Sequence, residues 1–586
     1  MHRITNVKIE NFRSCKSVQV FLESYSPIVG YNNAGKTNIL RAIQWVVQPS
    51  SLTDRDFCDK SLPVTVEVLI GGLSDEVLSA MHSKHRQDIA GYIQDGKLLI
   101  RARQIEPSCP KKDIEIEVAC PSENIEWVTN PTGISQALKA LFPDTIFIES
   151  MDNPVDDVTK NKSTTTLGKL LKELTRNLES TYRSKFEQSF STVREKISFD
   201  SPEQAEEIQD FDRDINLKIQ DYFPGLSMKV HFPMPSIEDI FKQGTVKIYN
   251  GSSYHDFDTQ GHGAQRAIQM ALIQKLGETS FPIEQKTTLL LVDEPELFLH
   301  PQAIVQVREA FKRLSKKGYQ VIFSTHSPSM IEQSDITKTS IIHKSEAEGT
   351  LVRKRVKEAL EKAIDGKNKQ AEILFKVNNL GQILFAENVL VVEGSTERVI
   401  LPHLIQCVTG GSVGEHKVAL VEVRGRDSIH GTLSILREMD IPAKALTDLD
   451  FVFVRGFHSG ILNTSDPLLS QCLSIMNRTC NEQDFEMNDK GLPKKTNGKK
   501  VSEAYELFAQ EQDAVPIIEE LHSLFVSRGY WFWTKGAIEK HLGLEGKQPK
   551  NWYGFVSSLE QAQDWRNIID EAEHEFVTSL CEWITA

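Results

Sequence analysis

The stretch 30-GYNNAGKT-37 constrains this chain most, because it dictates three consecutive elements. It matches GxxxxGK[ST], in which glycines let backbone N–H groups curl around phosphate oxygens. Ile28 and Val29 end a short strand before it, and Ile39, Leu40, Ile43, Val46 and Val47 recur at helical spacing after it. Strand, loop and helix together set an α/β fold with an anion site at a helix N-terminus. Asn32, Asn33 and Gly35 form the loop, Lys36 is expected to reach the β- and γ-phosphates of ATP, and Thr37 to hold its Mg²⁺.

Three further stretches fit the same site. In 289-LLLVDEPE-296 an apolar strand ends in Asp293, suited to the Mg²⁺ shell, and Glu294, suited to orienting the attacking water. Another apolar strand, 321-VIFSTHSP-328, ends at His326, placed to sense a γ-phosphate. Between them and the loop lies 259-TQGHGAQRA-267, a glycine-rich turn entering an apolar helix. This order resembles the ABC-type ATPase heads of the RecF, Rad50 and SMC kind. The resemblance makes Gly261, Gly263 and Gln265 part of a signature motif, Leu299-His300-Pro301 a D-loop, and 7-VKIENFRSCKS-17 a first hairpin with Arg13 near the nucleotide. The signature lacks its usual serine, and Glu67 is only a nearby polar residue where a Q-loop glutamine belongs.

At 586 residues the chain exceeds one ordinary core and implies roughly two to four domains. A formal charge of −14 argues against sequence-blind coating of nucleic acid, while leaving room for a local basic groove or metal-bridged DNA. Eight cysteines without a CxxC pair read as reduced thiols in a cytoplasm, and no apolar run is long enough to span a bilayer.

A second set of acids follows the ATPase motifs. In 385-FAENVLVVEGSTERVI-400 an apolar strand stops at Glu393, and Glu397 follows one helical turn on. In 446-LTDLDFVFV-454, Asp448 and Asp450 alternate as in a strand, with Leu449 on the opposite face. Paired acids on one face repel unless a cation lies between them. A strand ending in Glu, followed by a DxD element, is similar to a Toprim domain, a Rossmann-like fold acting on phosphodiesters with Mg²⁺. The stretch 420-LVEVRGRDSI-429 supplies the intervening strand and its glycine turn at Gly425, while Val452 replaces the third acid of the longer DxDxD form. Glu539, in 529-GYWFWTKGAIEKHLG-543, is the candidate extra ligand.

With both halves in place, the chain is identified as a member of the OLD (overcoming lysogenization defect) family. The resemblance implies a fold of an ABC-type head (1–154 and 236–345) interrupted by a helical insertion (155–235), a linker (346–382) and a Toprim domain (383–586). The insertion carries the stripe Leu167, Leu170, Leu171, Leu174 and Leu178, continued by Phe186, Phe190, Val193 and Ile197, and reads either as a hairpin packed on its own domain or as a dimer contact.

The family implies an ATP-binding, metal-dependent DNA endonuclease or nickase of bacterial or prophage antiphage defence. Glu393, Glu397, Asp448, Asp450 and Glu539 would hold Mg²⁺ or Mn²⁺, and Lys547 or Lys550, with Lys535 a further choice, would stabilise charge on the phosphate. Implied partners are DNA, a second or further copies of the chain, and a defence component such as a helicase or retron DNA. A RecF-like repair ATPase whose Toprim domain only binds DNA, a primase and a topoisomerase are the competing readings. The basic loop 490-KGLPKKTNGKK-500 is either a DNA grip or an exposed insertion.

Overall fold

The computed structural model describes residues 2–122, 125–142, 145–149, 184–232 except 186, 187, 189 and 192, 246–249, 251–278, 287–358, and 383–586 except 424, 457–459, 464 and 496–497. The leucine stripe between 167 and 178, Phe186 and most of the 346–382 linker lie outside the described residues.

The N-terminal half is built on a twelve-stranded sheet of two characters. Its parallel portion sets Ser340–Ser345, Tyr25–Gly30, Tyr319–Thr325, Thr288–Val292 and Thr145–Ile148 side by side. The inner three, Tyr25–Gly30, Tyr319–Thr325 and Thr288–Val292, are buried almost throughout because both faces are covered. Leu289 and Leu291 enter one core while Leu290 and Val292 enter another. The antiparallel portion, from Arg3–Phe12 and Cys15–Phe21 outward through Val64–Gly71 and Leu98–Gln104, alternates instead. Val7 and Ile9 are buried, whereas Lys8 and Glu10 form an exposed pair at 2.7 Å. The predicted first hairpin is thus present.

The strand Gly349–Val352 pairs with Ser340–Ser345 and touches Cys15. The sheet therefore runs past residue 345, where charge and helical pattern had suggested a linker. Of the insertion, the helix Glu206–Tyr222 is described and stops just before Pro224–Gly225. It leaves Phe211, Leu217 and Tyr222 exposed, as is Val193 from the earlier stripe.

The C-terminal half carries a four-stranded parallel sheet in the order Val418–Glu422, Asn388–Val392, Ala443–Thr447, Tyr530–Phe532. Val389 and Val391 face a core that also contains Val29, Ile331, Ile336 and Ile341 of the N-terminal half. Leu390 and Val392 face a second core closed by the C-terminal helices. Sharing the first core ties the two sheets together, and Arg353 Nη1 adds a hydrogen bond to the Asp440 carbonyl at 2.5 Å. Among the described residues, no helix is long and apolar enough to cross a membrane.

One local expectation fails. The stretch 446–454 is not a continuous strand: the strand ends at Thr447, and a helix, Asp450–Arg455, begins at the second aspartate. Phe451, Val452 and Phe453 have strand-like propensities, but all three are buried in the shared core as a helical turn. Tertiary packing overrides the local preference.

Candidate nucleotide and metal sites

The phosphate loop joins the buried strand Tyr25–Gly30 to the helix Lys36–Val47. Gly35 has φ +105°, and a Cβ there would lie 2.0 Å from Thr350 Oγ1, so only glycine fits. Asn32 and Asn33 are exposed at the loop's tip. Lys36 Nζ donates to the carbonyls of Gly30 (3.0 Å) and Tyr31 (2.8 Å) and lies 2.8 Å from His326 Nε2. Burial lowers the Lys36 pKa to about 8, against the pull of Glu294 and Asp293. Thr37 Oγ1 reaches both Asp293 oxygens at 3.0 Å, and Ser324 Oγ donates to the same carboxylate at 2.5 Å. Glu294 stands 3.0 Å from His326 Nε2, and that contact, outweighing burial, holds its pKa low.

The structure therefore brings Lys36, Thr37, Asp293, Glu294 and His326 together. Glu294 adopts φ +46°, a conformation that non-glycine residues visit at a cost and that gathers at functional positions. Two residues that the sequence left unassigned support this corner. Arg266, buried on the helix His262–Glu278, donates to the Asp293 (3.0 Å) and Glu294 (3.1 Å) carbonyls. Glu296 Oε1 accepts from Thr325 Oγ1 (2.7 Å) and from the backbone N–H groups of His326 (2.6 Å) and Ser327 (3.1 Å).

The signature residues serve their own loop. Gln265 is buried, and its amide donates to the Phe257 and Asp258 carbonyls at 3.2 and 3.3 Å. Gly261 is exposed and Gly263 lies beside Phe298. Arg13 pairs with Asp56 at 2.8 Å and reaches Asn38, the residue after Thr37, at 3.4 Å. Glu67 is turned toward Lys8 and Arg101 on the antiparallel sheet.

The second cluster lies at the C-terminal ends of strands in the four-stranded sheet. Glu393 follows Asn388–Val392, Asp448 follows Ala443–Thr447, and Asp450 opens the next helix. Glu397 and Glu539 are buried on the helices Ser395–Thr409 and Ile538–Leu542, and Thr396 Oγ1 donates to Glu539 Oε1 at 3.3 Å. Burial and the neighbouring Asp448 and Asp450 raise the Glu393 pKa to about 8. Burial also raises Glu397, Asp448, Glu539 and, to about 6, Asp450. These carboxylates feel one another and are short of positive charge.

Two cations stand among them. Lys547 Nζ is 3.0 Å from Asp448 and 3.9 Å from Glu539. Its burial opposes the charge, but Asp448 and Glu539 outweigh it and raise the pKa. Arg426, just past the Gly425 turn, donates to Asp450. Lys550 is exposed in the first turn of Pro549–Gln561, and Lys535 pairs with Glu573 instead. Of the three candidate lysines, only Lys547 reaches the acids.

Among the described residues, no three acidic, histidine or cysteine groups stand close enough to grip an ion as they are. The donor set nonetheless fits a hard divalent cation. Glu393 Oε2, Asp448 Oδ1 and Asp450 Oδ1 are buried oxygens without a hydrogen-bond partner, and oxygen donors suit Mg²⁺ or Mn²⁺. The Asp448 and Asp450 side chains keep 16% and 21% of their surface open, which leaves an entry path.

The chain is similar to known proteins in both of its halves. Residues 3–89 and 102–331 match the AAA ATPase domain family, and residues 384–450 match the overcoming lysogenization defect protein-like Toprim domain. The Old nuclease of Escherichia phage P2 is 33% identical over 99% of this chain and 100% of its own length. The OLD nuclease of Thermus scotoductus is 23% identical over 76% of this chain and 82% of its own. Endonuclease GajA of Bacillus cereus strain VD045 is 22% identical over 88% and 86%.

Proposed function

The chain belongs to the OLD family, and from that premise we propose that it is an ATP-binding, metal-dependent DNA endonuclease or nickase whose head responds to nucleotide. One observation carries this reading: three buried carboxylate oxygens, from Glu393, Asp448 and Asp450, lack partners at the ends of a parallel sheet beside the Lys547 ammonium. In a domain that only bound DNA, such a cluster would cost stability without return.

Glu393, Asp448 and Asp450, with Glu397 and Glu539 behind them, would hold one or two Mg²⁺ or Mn²⁺ ions. Bound metal supplies activation of water and neutralisation of the leaving oxygen. Lys547 holds Asp448 in place and presents positive charge at the cluster's open side, where a scissile phosphate would lie. Arg426 orients Asp450 from the glycine turn. In the head, Lys36 would exchange its contacts with loop carbonyls for phosphate oxygens, and His326 would hold Glu294 toward the terminal phosphate.

A setting in bacterial or prophage antiphage defence is supported by the phage P2 and Bacillus cereus relatives. Pairing of copies through the insertion is supported by the exposed Phe211, Leu217 and Tyr222.

The test is cleavage of supercoiled and linear duplex DNA in Mg²⁺ or Mn²⁺, with and without ATP, by wild type and Asp450→Ala. Nicking or cutting that needs metal and disappears in the variant supports the nuclease. Cleavage retained at full rate by Asp450→Ala refutes the assignment. DNA binding without cleavage in every condition favours the binding-only reading.

A further inference from the structure

The strand Asn388–Val392 has charged chemistry at both ends. Its C-terminal end delivers Glu393 to the acids. Its N-terminal end is preceded by Glu387, whose carboxylate accepts from Lys417 Nζ at 2.9 and 3.0 Å. Lys417 in turn precedes the parallel neighbour Val418–Glu422, in register from Asn388 against Val418 to Val392 against Glu422. The Asn388 N–H donates to the Lys417 carbonyl at 3.2 Å, so the ion pair and the two strand starts are one unit.

That edge of the sheet faces the ATPase. Tyr31, Asn32, His326, Phe385, Glu387 and Lys417 line one cavity of about 330 Å³. Tyr31 and Asn32 belong to the phosphate loop, and His326 touches both Lys36 and Glu294. The pair's charges act across the cavity: after burial, Glu387 raises the Tyr31 pKa and Lys417 opposes it. Lys417 also adopts φ +56°, a left-handed conformation unusual for a lysine. A cation of the Toprim domain is thus held by a carboxylate in a cavity that Tyr31 and Asn32 of the phosphate loop also line.

We propose that Lys417 is a nucleotide-phosphate contact supplied by the Toprim domain of the same chain, and that Glu387 competes with the polyphosphate for it. This rests on nucleotide binding at Lys36. Without nucleotide, Lys417 is paired with Glu387. With a triphosphate bound, the terminal phosphate takes Lys417, and Glu387 is released at the base of the strand that ends in Glu393. The two states differ in a named contact, which coupling between remote sites requires.

The test is equilibrium binding of ATP and AMP, with Mg²⁺, to the full-length wild type and to Lys417→Ala, Lys417→Arg, Glu387→Gln and Lys36→Ala. Both members of the pair are partly exposed, at 54% and 42%, so these changes leave the cores untouched. Lys417→Ala is expected to weaken ATP about tenfold, the size of one charge-assisted contact, and AMP far less. Lys417→Arg is expected to retain most of the affinity, and Glu387→Gln to tighten ATP. Opposite signs for Lys417→Ala and Glu387→Gln mark competition. Shifts of the same sign, or none, overturn the proposal while leaving the nucleotide site intact. Absence of ATP binding by wild type, or indifference to Lys36→Ala, overturns the nucleotide site itself.

Discussion

The nucleotide corner and the acid cluster are both built from charged residues at the ends of buried parallel strands, yet they are satisfied differently. In the head, the Lys36 ammonium has two carbonyl acceptors, and Asp293 has two hydroxyl donors. In the Toprim half, three carboxylate oxygens have no partner and five acids are pushed toward their neutral forms. The first site is preassembled and needs only an anion to take over contacts already made. The second is incomplete until positive charge arrives. Buried charge without a partner is costly, so the second site should show its need for metal in stability as well as in activity.

The sharpest way to break this comparison is to damage each site alone. Asp448→Ala should lower DNA cleavage by at least about 100-fold, given the several kcal/mol that metal catalysis supplies, and leave ATP affinity unchanged. Lys36→Ala should do the reverse for binding, abolishing ATP affinity while Mn²⁺ still binds the acids. Parallel cleavage assays and binding titrations check both, and loss of ATP binding in Asp448→Ala would show the two sites to be one.

Metal alone should stabilise the chain. At a hundredfold excess over its dissociation constant, a single ion contributes about 2.7 kcal/mol, read as a raised melting temperature that Asp448→Asn removes.

The Glu393 carboxyl moves from its ordinary 4.5 to about 8, so the folded, metal-free chain keeps a proton that the unfolded chain has released between those values. Stability of the metal-free protein should therefore fall as pH rises through that window, by up to about 1.4 kcal/mol per unit for one proton. Glu393→Gln should lessen the slope, with Glu397 supplying what remains. Metal affinity should move oppositely and tighten with rising pH, because binding displaces the same proton.

The smallest expected effect is in the head. Glu296→Gln keeps the shape of a group that accepts three hydrogen bonds but weakens them, and should cost about 1 kcal/mol, visible as earlier unfolding with little change in cleavage.

The same contrast explains what could be read from sequence. The head's chemistry is carried by contiguous stretches, each an apolar run stopped by a charged residue, and such runs announce their strands. The acid cluster draws on segments from Glu393 to Lys547, and its acids were legible at strand ends and in the helices that follow, but not which cations partner them. Asp448 and Asp450 were identified although their backbone was misread, since D-x-D looks alike in a strand and across a strand-to-helix junction. Arg426 was passed over because an arginine beside a glycine turn ordinarily reads as solvated surface. Choosing Lys547 over Lys550 and Lys535 needed the fold, because the lysines between positions 535 and 550 carry no local mark of which one faces the acids. Arg266 and Glu296 were invisible as supports because their partners, mostly backbone groups, lie some thirty residues away in sequence at the ends of other strands.

The most direct test of the central claim is Mn²⁺ binding to the nucleotide-free, full-length chain, followed by electron paramagnetic resonance for wild type, Asp448→Asn and, as a control for the nucleotide corner, Thr37→Ala. An acid cluster that waits for a cation predicts Mn²⁺ bound by wild type and by Thr37→Ala and lost from Asp448→Asn. Equal Mn²⁺ occupancy in Asp448→Asn and wild type would contradict it.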